Sequence, residues 1–138
     1  MGPRLAETTA MPYRTVMHAV LLTPTFERQV RRAGVGRDEL AEIVDAIASD
    51  PGGGDLISGT GGARKVRHAG RGHGKSGGYR TIHYFGGGDV PVFLLSIYGK
   101  GAKANLSKAE RNELAAVLPK IADAYRASVA AKVVELKR

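Results

Sequence analysis

The chain contains no cysteine, which excludes a disulfide framework, a thiolate metal centre and a cysteine nucleophile and fits a reducing compartment. Long apolar runs are missing too: stretches such as Val92 to Leu95 are far too short to cross a bilayer. The opening residues, 1–12, have no apolar core of the kind a secretion signal needs. They read as a disordered lead-in, with Met11 an alternative start, ahead of a single domain over residues 13–138. Nothing here addresses the protein out of the cytoplasm, so a cytoplasmic location and no membrane partner are expected. At 138 residues the chain is long enough to bury a core unaided.

Acidic residues are the next scarcity. Lysine and arginine outnumber aspartate and glutamate by 21 to 13, a net charge of +8 with an isoelectric point near 10.0. The deficit is local. From Leu56 to Gly88 there is no acidic residue, while the same stretch holds Arg64, Lys65, Arg67, Arg71, Lys75 and Arg80, with His68, His73 and His83 among them. A basic block inside strand-like sequence favours a folded surface for a polyanion, above all nucleic acid, bound through its phosphates.

Around that block the apolar spacing predicts an α+β domain. Tyr13 to Leu22 is β-prone. Thr23-Pro24 reads as the cap and first position of a short helix, with Phe26 and Val30 on one face and Gly34 at its end. A second helix over Asp38 to Ser49 carries Leu40, Ile43, Val44 and Ile47 as one stripe. After a glycine-rich connection, three strands follow: Ala63 to Ala69, Tyr79 to Phe85, and Val90 to Tyr98, whose near-continuous apolar run suggests the most buried strand. Short glycine loops predict antiparallel pairing. Ser107 and Glu110 form a capping box for a last helix, along which Leu114, Leu118, Ile121, Tyr125 and Val129 keep a stripe. Pro119 should kink or break it. The expected sheet is four-stranded, mixed and mostly antiparallel, packed against helices in the order β-α-α-β-β-β-α.

Three constellations carry chemistry. Ala69-x4-Gly74-Lys75-Ser76 formally fits a relaxed phosphate loop, but such a loop needs an apolar strand before it and a helix after it. Here ARKVRH precedes and the strand GGYRTIHYF follows, so a mobile basic hairpin tip is the better reading. Lys65 and Arg67, two apart on one strand, share a face, and Arg64 points to the other. Arg80 joins them if the hairpin register allows. A solvated sheet face is the alternative, but like charges on neighbouring strands repel unless an outside anion completes them. The histidines His18, His68, His73 and His83 show no metal-ligand spacing, so neither metal nor cofactor is expected. His68 and His83 are candidate acid–base groups if they reach the basic face. Tyr79, Tyr84 and Tyr98 either stack on bases or pack the sheet. No paired carboxylates and no Ser-His-Asp set are evident.

In this order and spacing, the segments GGARKVRHAGRGHGKSGGYRTIHYF and PVFLLSIYGKGAKANLSKAERNEL resemble the RelE/ParE toxin superfamily over about residues 14–126, and most nearly its HigB-type branch. The resemblance implies the small RelE-like fold and a toxin of a type II toxin–antitoxin system. It implies a metal-independent endoribonuclease that enters the ribosomal A site and cuts messenger RNA, the 2′-hydroxyl attacking its neighbouring phosphate to leave a cyclic phosphate. It also implies a cognate antitoxin, often carrying a DNA-binding domain.

In that reading Lys65 and Arg67 match the paired basic positions of the second strand, Arg80 the arginine of the SGYR-type turn, and Lys100 the basic position closing the last strand. Preorganised guanidinium groups suit the charge that builds on phosphorus. A lysine crowded by cations gives up its proton more readily. Lys65 is therefore the candidate base, Arg67 and Arg80 the phosphate clamps, and Lys100 or His68 the proton donor. Arg64, Arg71, Lys75 and Tyr79 are the candidate RNA contacts. Two features depart from the family pattern: Leu106 and a long helix stand where RelE proper has a substrate-stacking tyrosine, and the histidine–aspartate set of some HigB proteins is not evident. The extended helix is a candidate surface for an antitoxin or a second copy. Two other functions use the same residues differently, a non-catalytic RNA- or ribosome-binding module and a ParE-like gyrase poison.

Overall fold

A computed structural model describes residues 17–69, 78–99 and 106–137. The expected lead-in, the start of the first strand at Tyr13, and Arg71, His73, Lys75 and Lys100 lie outside the described residues. Among the described residues eight elements follow one another: β1 (Val20–Leu22), α1 (Pro24–Ala33), α2 (Arg37–Ser49), β2 (Asp55–Leu56), β3 (Ala63–His68), β4 (Tyr79–Tyr84), β5 (Val92–Gly99) and α3 (Lys108–Leu136). The sheet runs β1-β5-β4-β3-β2, with β1 parallel to β5 and every other pair antiparallel. It is thus mixed and mostly antiparallel, as expected, with five strands among the described residues rather than four. β4 is its central strand, although β5 holds more fully buried residues.

The fifth strand is the two-residue β2, hidden in what reads as a glycine-rich connection. A strand forms there because Gly54, at φ 82°, lies where a Cβ would stand 2.5 Å from the Lys65 carbonyl oxygen. Only glycine permits that approach. Thr60, fully buried, then closes the turn: its hydroxyl donates to the Ile57 carbonyl at 2.7 Å and accepts from the Ala63 amide at 3.0 Å.

Two layers cover the sheet. On one face, Phe26 of α1 and Ile43 and Ile47 of α2 pack on Val92, Leu94 and Ile97. Thr23 caps α1 and ties it to the sheet, since its hydroxyl accepts from the Phe26 amide and donates to the Leu94 carbonyl at 2.8 Å. On the other face, Leu118 of α3 packs on Ala63 and Ile82, and Ala122 on Val90 and Phe93. The capping box at the start of α3 is complete, with Glu110 accepting from the Ser107 amide at 2.8 Å and Ser107 from the Glu110 amide at 3.1 Å. Pro119 does not end the helix, which runs on to Leu136. Leu114 and Leu118 before the proline and Ile121, Ala122 and Tyr125 after it all pack on the same sheet face, and that burial outweighs the lost hydrogen bond. Arg126 pins the helix to the β4–β5 turn through Asp89 and the Gly86 carbonyl.

A bulge in β5 decides which side chains meet. Ile82 pairs with Ser96, but the next residue, His83, pairs with Leu94, leaving Leu95 extra. A bulged residue resets the two-residue alternation. Val92 and Leu94 therefore face α1 and α2, and so does Ile97, while Leu95 and Tyr98 face α3. Strict alternation from Val92 would have turned Tyr98 to the opposite side.

Candidate functional site

The α3 helix covers only part of its sheet face. Near the other end of β3 and β4 the register sets Lys65 opposite Ile82, Arg67 opposite Arg80, and Arg80 opposite Tyr98. Register partners in adjacent strands share a face, so Arg67, Arg80 and Tyr98 form one row across three strands. Lys65 stands two residues along from Arg67 on the same side. The sequence condition for Arg80 to join the pair is met. Cations placed side by side repel. Among the described residues none of Lys65, Arg67 and Arg80 is held by a carboxylate, whereas Arg126 is held by two, Asp89 at 2.6 Å and Asp123 at 3.2 Å. This arrangement leaves a cationic surface ready for an anion.

The row borders a cleft of about 200 Å³ lined by Ile57, Lys65, Ile82, Tyr98, Leu106 and Arg111. Sequence reasoning missed Arg111 altogether and left Tyr98 open between stacking on a base and packing the sheet. A signal for Arg111 existed: it stands three residues before Leu114, so it continues the stripe of Leu114, Leu118, Ile121 and Tyr125. A cation at the end of an apolar stripe points toward the sheet rather than to solvent. Its guanidinium donates to the Leu106 carbonyl at 2.7 Å.

The remaining candidates stand elsewhere. Arg64, on the opposite face, reaches the Gly54 carbonyl at 3.4 Å. His68 also faces away from the row and is buried, its Nε2 2.9 Å from the Thr81 hydroxyl. Burial, and then the neighbouring His83, lower its pKa below the ordinary 6.5. His68 therefore does not meet Lys65 and Arg67, and the proton-donor role expected for it has no support in its placement. His83 is fully buried, its Nε2 donating to the Pro51 carbonyl at 2.8 Å. Burial lowers its pKa, helped by Arg64 and opposed by the Pro51 hydrogen bond and Asp50. Tyr79 lies on this side too and packs against the core of α1 and α2, where it cannot stack on a base at the cationic row. Among the described residues no group of histidine and acidic side chains could hold a metal ion, and no helix is long and apolar enough to cross a membrane.

A family model described as "RelE toxin of RelE / RelB toxin-antitoxin system" matches residues 18–138. Among solved structures, a free-state mutant of E. coli toxin RelE is similar at 17% identity, covering 63% of this chain and 87% of that chain, with a TM-score of 0.45.

Proposed function

Because the chain belongs to the RelE toxin family, we propose that it is an endoribonuclease that cuts translated messenger RNA in the ribosomal A site, as the HigB-type resemblance implies. The observation that carries this reading is the cluster of Lys65, Arg67 and Arg80, three cations on one sheet face, Arg67 in register with Arg80, without a carboxylate partner among the described residues. Arg67 and Arg80 hold the scissile phosphate and the charge that builds on it. Lys65, in its neutral form, takes the proton of the 2′-hydroxyl as that oxygen bonds to phosphorus. The bond from phosphorus to the 5′-oxygen breaks, the leaving oxygen gains a proton, and a cyclic phosphate remains. No metal takes part in these steps. Lys100 is the remaining candidate to supply the proton. The partner is an antitoxin of the RelB kind, with a DNA-binding domain and an acidic surface to cover the cationic row, and the protein works in the cytoplasm.

Inducing the chain or its Arg80→Ala variant in growing bacteria and mapping new 5′ ends of messenger RNA tests the proposal. New cuts within translated regions, at least 100-fold fewer with the variant, are the expected result; removal of one such donor typically costs about 100- to 1,000-fold. Well-expressed protein that makes no cuts defeats the nuclease reading. Growth arrest without cuts then points to gyrase, and normal growth to a module that only binds RNA.

A further inference from the structure

We infer that the cleft beside Lys65 receives a single unstacked base of the RNA and that Arg111 reads it, favouring guanine. This rests on the cationic row being an RNA site, not on cleavage itself. At about 200 Å³ the cleft falls below the range of roughly 300–1,000 Å³ typical of sites that bury a whole drug-sized molecule. One flat ring system suits it. Its apolar lining comes from three separate parts of the chain, Ile57 after β2, Ile82 of β4 and Leu106 before α3. These side chains offer an apolar bed to the face of a base, while Lys65 and Arg111 make the rest of the lining cationic. Tyr98 supplies an aromatic wall for stacking.

The cleft and the phosphate row are continuous. Lys65 belongs to both, and Tyr98 sits in register with Arg80. A strand whose phosphate rests on Arg67 and Arg80 can therefore turn a neighbouring base into the cleft. Arg111 is preset there. One of its terminal nitrogens is committed to the Leu106 carbonyl, and its side-chain stem passes beside Gly59. It has no carboxylate partner among the described residues. An arginine held in this way offers its remaining N–H groups as a fixed fork. Guanine presents two adjacent acceptors to such a fork, whereas adenine presents an acceptor beside a donor.

The test uses the purified full-length chain and the four 5′-monophosphates of guanosine, adenosine, cytidine and uridine, with binding followed by chemical-shift titration at low salt. The unsubstituted chain should bind guanosine monophosphate about tenfold or more tighter than uridine monophosphate. Arg111→Ala should bind all four alike. Arg111→Lys should not restore the preference, because an ammonium group lacks the paired donors. Arg80→Ala should weaken all four by the same factor and keep the preference. Amide spectra establish that each variant is folded. Equal affinities for the four in the unsubstituted chain, or an unchanged preference in Arg111→Ala, overturn the inference. The two readings fail separately: messenger RNA cuts without a base preference refute only the base pocket, and a guanine preference without cuts refutes only the nuclease.

Discussion

His68 and His83 lie on the same side of the sheet, and burial disfavours the protonated form of both. Because Nε2 of His83 donates to Pro51, its Nδ1 is the bare nitrogen, and it is buried without a partner. Protonation there would bury an unpaired N–H and a charge together. Both folded pKa values lie below the ordinary 6.5, so near and below that pH the unfolded chain binds more protons than the folded one. The stability these residues confer is present above about pH 6.5 and is lost as pH falls toward the folded values. Urea unfolding should show a lower midpoint at pH 5.5 than at pH 7.5, a window chosen above the ordinary carboxylate range. The double variant His68→Gln, His83→Gln should flatten that dependence. An equally steep dependence in the double variant would show that other groups are responsible.

Among the elements, α3 shows packing overriding local preference. A proline inside a helix costs about 3 kcal/mol relative to alanine, yet Pro119 is exposed and the apolar residues on either side of it remain on the sheet. Pro119→Ala should therefore stabilise the fold by about 1–3 kcal/mol, seen as a higher denaturant midpoint with an unchanged slope. A loss of stability would mean that the proline fixes a helix shape the core requires. Past Arg126 the described helix is wholly exposed, with Val129 and Val133 each 43% and Leu136 84% accessible. The apolar stripe therefore continues beyond the sheet that explains its first half.

At the scale of the whole molecule, the net charge of +8 would mean little if it were evenly spread. The fold instead gathers Lys65, Arg67, Arg80 and Arg111 around one end of one sheet face, while Arg126 is occupied by Asp89 and Asp123. RNA affinity should therefore fall steeply with salt, by a slope of about −0.7 in log–log terms for each phosphate neutralised on a single strand. Arg67→Ala should reduce the slope by roughly one such unit, and Arg126→Ala should leave it unchanged. Equal slopes for all three proteins in a filter-binding salt series would place the RNA elsewhere.

Much of this was written locally. Thr23-Pro24, Gly34 and the Ser107–Glu110 box mark helix ends through short-range capping bonds, and the stripes of α2 and α3 repeat at helical spacing, so a single sequence exposes them. The two-residue spacing of Lys65 and Arg67 likewise places them on one face of any strand that contains them. The pairing of Arg80 with Arg67 depended on hairpin register, which adjacent residues do not encode. The extra Leu95 that turns Tyr98 toward the cations, the short β2 admitted by Gly54, and the docking of α3 that brings Arg111 beside Lys65 each depend on contacts between residues distant along the chain. His68 shows the same division: its proximity to Lys65 in sequence suggested a shared site, and the alternation of the strand, with the core that Thr81 and His83 share, placed it on the opposite face. Local propensity determined which elements form, and long-range register and packing decided which side chains meet.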